Sequence, residues 1–140
     1  MKVSARLQGV VILAVLFFVG STMSTASNAE ELPPEVVLRL KKQRMERELV
    51  RKSDPKLFAA VSNAMFQRDP IRISFQTNTD EYDPEAGTVI PRLKDCSSSE
   101  DVATVLHQEF VRWFGVETAG DRTRYVELSK DIWALWKRGA

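Results

Sequence analysis

Apolar residues recur every three or four positions along most of the chain, which is the spacing of amphipathic helices. The clearest repeats run over 55–68, 99–115 and 125–138. A narrower stripe on the charged stretch 35–52 predicts one more helix. We expect the apolar faces of all the helices to close a single core. The members of these four stripes include Leu38, Met45, Leu49, Leu57, Phe58, Val61, Met65, Val102, Val105, Leu106, Phe110, Trp113, Phe114, Tyr125, Leu128, Ile132, Leu135 and Trp136.

A different pattern follows the second helix. Ile71, Ile73 and Phe75 alternate with polar residues, as in a strand with one buried face. No second run of comparable quality is present to pair with it. We therefore favour an extended arm over 71–77, laid across the helices, and keep a strand as the alternative.

The segment 83–94 opens as a helix and is then interrupted. Asp83 and Pro84 suit a cap and a first turn. Pro91 removes one hydrogen bond and collides with the carbonyl of Gly87, so we predict a short or kinked helix. The fold class expected is all-α, a single compact bundle of four to five helices with the arm at 71–77.

The N-terminus has the three-part pattern of an export signal. Lys2 and Arg6 precede an uncharged apolar run over 10–20, and small residues lead to Ala29. We predict a signal peptide over 1–29 with cleavage after Ala29, and a periplasmic or secreted single helical domain over 30–140. An uncleaved anchor and a start codon placed too early are the alternatives.

Composition after that cleavage is balanced. Removing 29 of the 140 residues leaves 111, with all 19 acids and 18 of the 20 bases. A net charge of −1 gives no global attraction to nucleic acid or to anionic membrane. We expect no nucleic-acid partner and no stable membrane insertion after cleavage. Cys96 is the lone cysteine, so it is free, buried or bridges two chains.

Two short motifs carry a resemblance. Asp69-Pro70-Ile71 and Asp80-Glu81-Tyr82-Asp83, with the apolar spacing after them, resemble a family of small all-helical bacterial proteins of unknown function, some of them immunity-like. The likeness covers about half of the chain after residue 29. It implies a helical fold and a binding role, and it implies no reaction. The export signal and Pro91 depart from the family pattern.

Four carboxylates within six residues are the densest chemical feature. They are Asp80, Glu81, Asp83 and Glu85. Clustered oxygens suit a hard cation such as calcium, but the ligand spacing and glycine of an EF-hand loop are missing. Acids at a helix start also stabilise the helix dipole. We favour structural capping, with contact to a partner and metal binding as the alternatives.

Candidate catalytic residues are few. Cys96 and His107 could form a nucleophile and a base, but on a helix beginning near Ser99 they lie about two turns apart. His107 also lacks the second histidine of a zinc helix, since Val111 stands four residues on. We therefore assign no catalytic residue, no metal ligand and no cofactor.

Charge is separated along the chain. The first helix has seven bases and three acids, whereas residues 80–101 have seven acids and two bases. The two regions either meet within the fold, remain solvated, or dock a partner. We predict a protein-binding module of the immunity or accessory type, with a small periplasmic enzyme or an envelope structural component as alternatives. The partner-binding candidates are Asp80, Glu81, Asp83, Glu85, Arg44, Arg47, Arg51 and Trp133.

Overall fold

Helices make up the regular structure of residues 32–74 and 78–139, the residues that this computed structural model describes, and no strand occurs among them. The all-α prediction is confirmed, and the predicted signal peptide lies outside the described residues. The helices are α1 (Pro34–Ser53), α2 (Pro55–Arg68), α3 (Asp83–Val89), α4 (Ser99–Ala119) and α5 (Val126–Gly139). Two 3-10 segments, Ile90–Asp95 and Arg122–Tyr125, precede α4 and α5.

Local signals set several helix ends. Asp54 caps α2 by accepting a hydrogen bond from the backbone N–H of Leu57 at 2.9 Å, and Pro55 occupies the first turn. Ser98 caps α4 in the same way through the N–H of Asp101 at 3.2 Å. Side-chain caps of this kind satisfy backbone donors that a helix leaves unpaired, so short motifs fixed both starts.

Two interruptions of helical geometry occur at a proline and at a glycine. Helix α3 lasts seven residues and tightens into the 3-10 segment at Ile90, directly before Pro91, as the predicted kink requires. Helix α4 is interrupted at Gly115, where φ is 81°. Glycine tolerates that angle because it has no Cβ. The chain continues helically to Ala119, beyond the span of 99–115 that the periodicity indicates.

The expected arm begins as a turn. Asp69 and Arg72 have φ of 42° and 59°, and the N–H of Arg72 donates to the carbonyl of Asp69 at 3.1 Å. Ile71 in this turn is buried and belongs to the core. Residues 73–74 have no regular structure, and 75–77 lie outside the described residues.

The core lies among α2, α3, α4 and α5. Helix α4 packs on α5, α2 packs on α5, and α3 touches both α2 and α4. Phe110 lies at the centre, with ring centroids 6.0 Å from Tyr82 and 5.1 Å from Tyr125. The largest fully buried apolar side chains are Tyr82, Tyr125, Phe110, Met65, Leu93, Leu106, Leu128 and Ile132.

Candidate functional site

Helix α1 presents its apolar stripe to solvent. Leu38, Met45 and Leu49 are 70, 67 and 66 % exposed, and none of the 20 residues of α1 is buried. Their spacing of seven and four places them on one side of the helix. We call these three residues the outer stripe. The expectation that every helical stripe would close the core is therefore wrong for α1.

The inner side of α1 is held mainly by polar groups. Arg51 forms an ion pair with Asp83, and its guanidinium lies 4.8 Å from the ring centroid of Phe58. The Ser62 hydroxyl donates to the other oxygen of Asp83 at 2.6 Å. Val50 packs partly against the core. Two oppositely charged regions predicted from the sequence thus meet inside the fold at this point.

Close approach of α1 to α3 depends on Gly87. A Cβ placed on Gly87 would lie 2.9 Å from Cγ, 3.0 Å from Cβ and 3.2 Å from Cα of Arg47. Such distances leave no room for a side chain. The stem of Arg47 therefore lies directly against the backbone of α3. We call Arg47, Arg51, Asp83, Glu85 and Gly87 the α1–α3 joint.

Glu85 lies buried in this joint and is 1 % exposed. Burial raises the pKa of its carboxyl to about 8, while Arg47 acts to lower the pKa and Asp83 to raise it. Its Oε2 and the Nε of Arg47 are buried without a hydrogen-bond partner among the described residues. At 1 % exposure, Glu85 cannot contact a partner protein in this arrangement of the helices.

The remaining candidates are differently placed. Asp80 and Arg44 are exposed, and Glu81 is half-buried. Trp133 packs partly against the core, with the Lys137 ammonium 5.6 Å from its ring centroid. The eight candidates therefore do not form one surface. Two of them, Arg51 and Asp83, form an ion pair within the joint, and Arg47 and Glu85 are packed there as well.

Asp69 and Tyr82 bring the two resemblance motifs together. The buried Tyr82 hydroxyl donates to Oδ1 of Asp69 at 2.6 Å. The same carboxylate accepts from the N–H of Ile73 at 2.9 Å and from the Ser74 hydroxyl at 2.8 Å. Burial acts to raise the pKa of Asp69, but these hydrogen bonds outweigh it, so the pKa is lowered. The turn after α2 is thereby tied to the start of α3, a link that no spacing rule indicated.

Cys96 and His107 have separate surroundings. Burial and then the charge of Asp101 raise the pKa of the half-buried Cys96 thiol, so its ionised form is disfavoured. The His107 Nε2 lies 3.0 Å from the carbonyl oxygen of Gly120, which it bonds as a donor. This contact ties α4 to the loop before α5.

A cleft opens beside the outer stripe, between α1 and the α3–α4 face. Its volume is about 490 Å³. Leu49 and Val50 line it from α1, and Trp113 lines it from α4. The other residues around it are Gln43, Glu46, Arg47, Pro84, Gly87, Thr88, Pro91, Arg92, Glu109 and Arg112.

Glu109 organises the polar side of the cleft. Its carboxylate, 6 % exposed, accepts from Arg92 at 2.7 Å and lies 3.7 Å from Arg112. The indole N–H of Trp113 donates to the Thr88 hydroxyl at 3.3 Å. Position 109 lies on the buried side of α4, three residues after Leu106 and four before Trp113, which is the one signal in the sequence for its burial.

Comparison with family models, with curated proteins and with solved structures finds no match for this chain. Within 32–74 and 78–139, no group of three or more histidine, cysteine, aspartate or glutamate residues is arranged to hold a metal ion. In the same part of the chain, no helix is both long and apolar enough to traverse a bilayer.

Proposed function

We propose that this protein is an exported binding module whose α1 receives an acidic, amphipathic helix of another protein. The observation that carries the proposal is the outer stripe, three large apolar side chains each about two-thirds exposed or more. An exposed apolar stripe with a charged border is the usual receiver of a helix that buries its own apolar face. Single exposed apolar residues need no explanation, but three in register on one helix do.

The net positive charge of α1 favours a partner helix of negative charge. Lys41, Lys42 and Lys52 lie three or four residues from members of the stripe, and so do Glu35, Glu46 and Glu48. Residues at that spacing are neighbours on a helix surface. The surplus of positive charge belongs to α1 as a whole, which has seven bases and three acids. A second α1 laid against this face would bring together two helices of net positive charge, whereas an acidic helix would complement that charge.

The export part of the proposal rests on the sequence of residues 1–29. The basic start, the apolar run over 10–20 and the small residues before Ala29 support it. The immunity-type role implied by the resemblance stays a prediction. N-terminal sequencing of the protein recovered from its host tests cleavage after Ala29.

A photo-crosslinking residue at position 45 tests the binding function in the native host. The expected product is a covalent complex with one other protein. Its crosslinked segment, identified by mass spectrometry, should be helical and acidic with an apolar stripe. Leu49→Asp should abolish that product. The matched control places the same residue at Gln67, exposed on α2, and should not give the complex.

Other products would overturn the proposal. Crosslinks only to a second copy, to the N-terminal segment of the same chain or to lipid would each replace the acidic helix as the occupant of the outer stripe. Lipid capture is the alternative that basic helices raise, although three apolar side chains give a narrow face for insertion.

A further inference from the structure

We infer that the cleft is the anchor pocket of this docking surface, and that it receives one bulky apolar side chain of the docked helix beside a carboxylate that pairs with Arg112. The inference rests on the proposed function and deepens it. Its volume of about 490 Å³ falls within the range of pockets that bind specific groups, roughly 300–1,000 Å³.

Position is the first argument. Leu49 belongs to the outer stripe and also lines the cleft. A helix lying along Leu38 and Met45 therefore reaches the mouth of the cleft at its end. Interfaces gain most of their affinity from a few large side chains set in well-packed, desolvated pockets.

The apolar lining is the second argument. Leu49, Val50, Pro84, Pro91 and Trp113 surround the space. Trp113 is 8 % exposed, and its indole N–H is already bonded to Thr88. With that donor engaged inside the protein, the ring offers mainly carbon surface, which suits an aromatic or branched aliphatic side chain.

Charge at the rim is the third argument. Three arginines and two glutamates line the cleft, giving a local net charge of +1. Arg92 is engaged by Glu109 and by Gln108 at 2.5 Å. The Arg112 side chain is 67 % exposed, and among the described residues its ion pair is the 3.7 Å contact to Glu109. Guanidinium donors that are so exposed suit a partner carboxylate.

The test uses Trp113 as a reporter in the full chain. Trp133→Phe with Trp136→Phe leaves Trp113 as the single tryptophan. The probe is a synthetic acidic amphipathic helical peptide with Leu at heptad positions and one Phe at its end. Companion peptides replace that Phe by Ala, or every Glu by Lys. If the double variant does not fold, fluorine NMR of the wild-type protein labelled with 5-fluorotryptophan reports on Trp113 instead.

We expect the Phe peptide to change the Trp113 signal and the Ala peptide to bind at least tenfold more weakly without that change. Arg112→Glu should weaken binding of the Phe peptide at least tenfold. Lys56 is exposed on α2, and the control Lys56→Glu should weaken that binding less than twofold. The Lys peptide should not bind.

The two proposals fail in different ways. Suppose Met45→Asp weakens peptide binding, but the Trp113 signal does not change on binding and Arg112→Glu leaves the affinity unchanged. The anchor pocket is then overturned, while the docking function stands. If no peptide binds, or if Met45→Asp has no effect on binding, the docking function itself is overturned.

Discussion

Adding one methyl group at Gly87 tests how α1 sits on the rest of the molecule. The Cβ of an alanine there would meet Arg47 at 2.9 Å from Cγ and 3.2 Å from Cα. A side-chain rotation can relieve the first contact. The second involves backbone, so α1 must move by a few tenths of an ångström. That movement strains the ion pair between Arg51 and Asp83.

Two opposing effects set the size of the change. Alanine is about 1 kcal/mol more favourable than glycine inside a helix. Overpacking a tight contact costs about 1–3 kcal/mol. We therefore expect Gly87→Ala to lower the free energy of unfolding by about 1 kcal/mol, with faster hydrogen exchange of the α1 amides. Few buried groups hold α1, so it should open before the core does.

Urea unfolding and amide exchange measured by NMR provide the assay. Gly139→Ala is the matched control, because its Cβ would meet nothing within 4 Å. The control should leave α1 exchange unchanged. A Gly87→Ala protein that gained about 1 kcal/mol, with α1 exchange as in wild type, would refute the close approach of α1 to α3.

Three further predictions concern buried polar groups and caps. The pKa of Glu85 is about 8 in the folded chain against an ordinary 4.5, so the folded state holds the proton more tightly. Stability should fall as pH rises from 4.5 through about 8, by up to about 1.4 kcal/mol per pH unit, and Glu85→Gln should remove that slope in urea titrations from pH 5 to 9. Tyr82→Phe removes the 2.6 Å bond to Asp69 and should cost about 1.5–3 kcal/mol in urea unfolding. Asp54→Ala removes the cap on Leu57 and should cost about 1 kcal/mol by the same measurement.

Each of these has a control and a contrary result. Glu117→Gln, at an exposed position of α4, should retain the wild-type pH profile; a slope that persists in Glu85→Gln would assign it to other groups. Tyr125→Phe breaks a 2.7 Å bond to a neutral carbonyl and should cost less than Tyr82→Phe, so equal losses would contradict a charged acceptor. Asp54→Asn should retain the cap; if Asp54→Ala is no less stable than Asp54→Asn, the cap contributes nothing measurable.

Local chemistry explains what the sequence could predict. Asp54 and Pro55 specify a helix start through groups one to three residues apart, and the structure begins α2 there. Pro91 acts on a carbonyl four residues back, and α3 ends just before it. These effects need no knowledge of the rest of the chain.

Contacts between residues distant in the sequence could not be predicted from such local signals. Periodicity identified the outer stripe but could not tell which way it faces. Glu85 looked like a helix-start acid, yet it is buried in the α1–α3 joint. Asp69 directly follows α2 as its C-cap, and its carboxylate also accepts a hydrogen bond from Tyr82, thirteen residues away. Each outcome depends on which helices become neighbours, which spacing within one helix does not encode.

Helix α1 reverses the usual sides of an amphipathic helix. Burying a side chain such as Leu38 or Met45 would stabilise the fold by about 1.5–3 kcal/mol, yet the helix turns Arg47 and Arg51 inward and leaves the outer stripe in water. Ion pairs of this kind contribute little where solvent reaches them. The arrangement is therefore poor as a device for stability alone. Under the proposed function it becomes favourable, because a docked second helix would bury the area that folding leaves exposed.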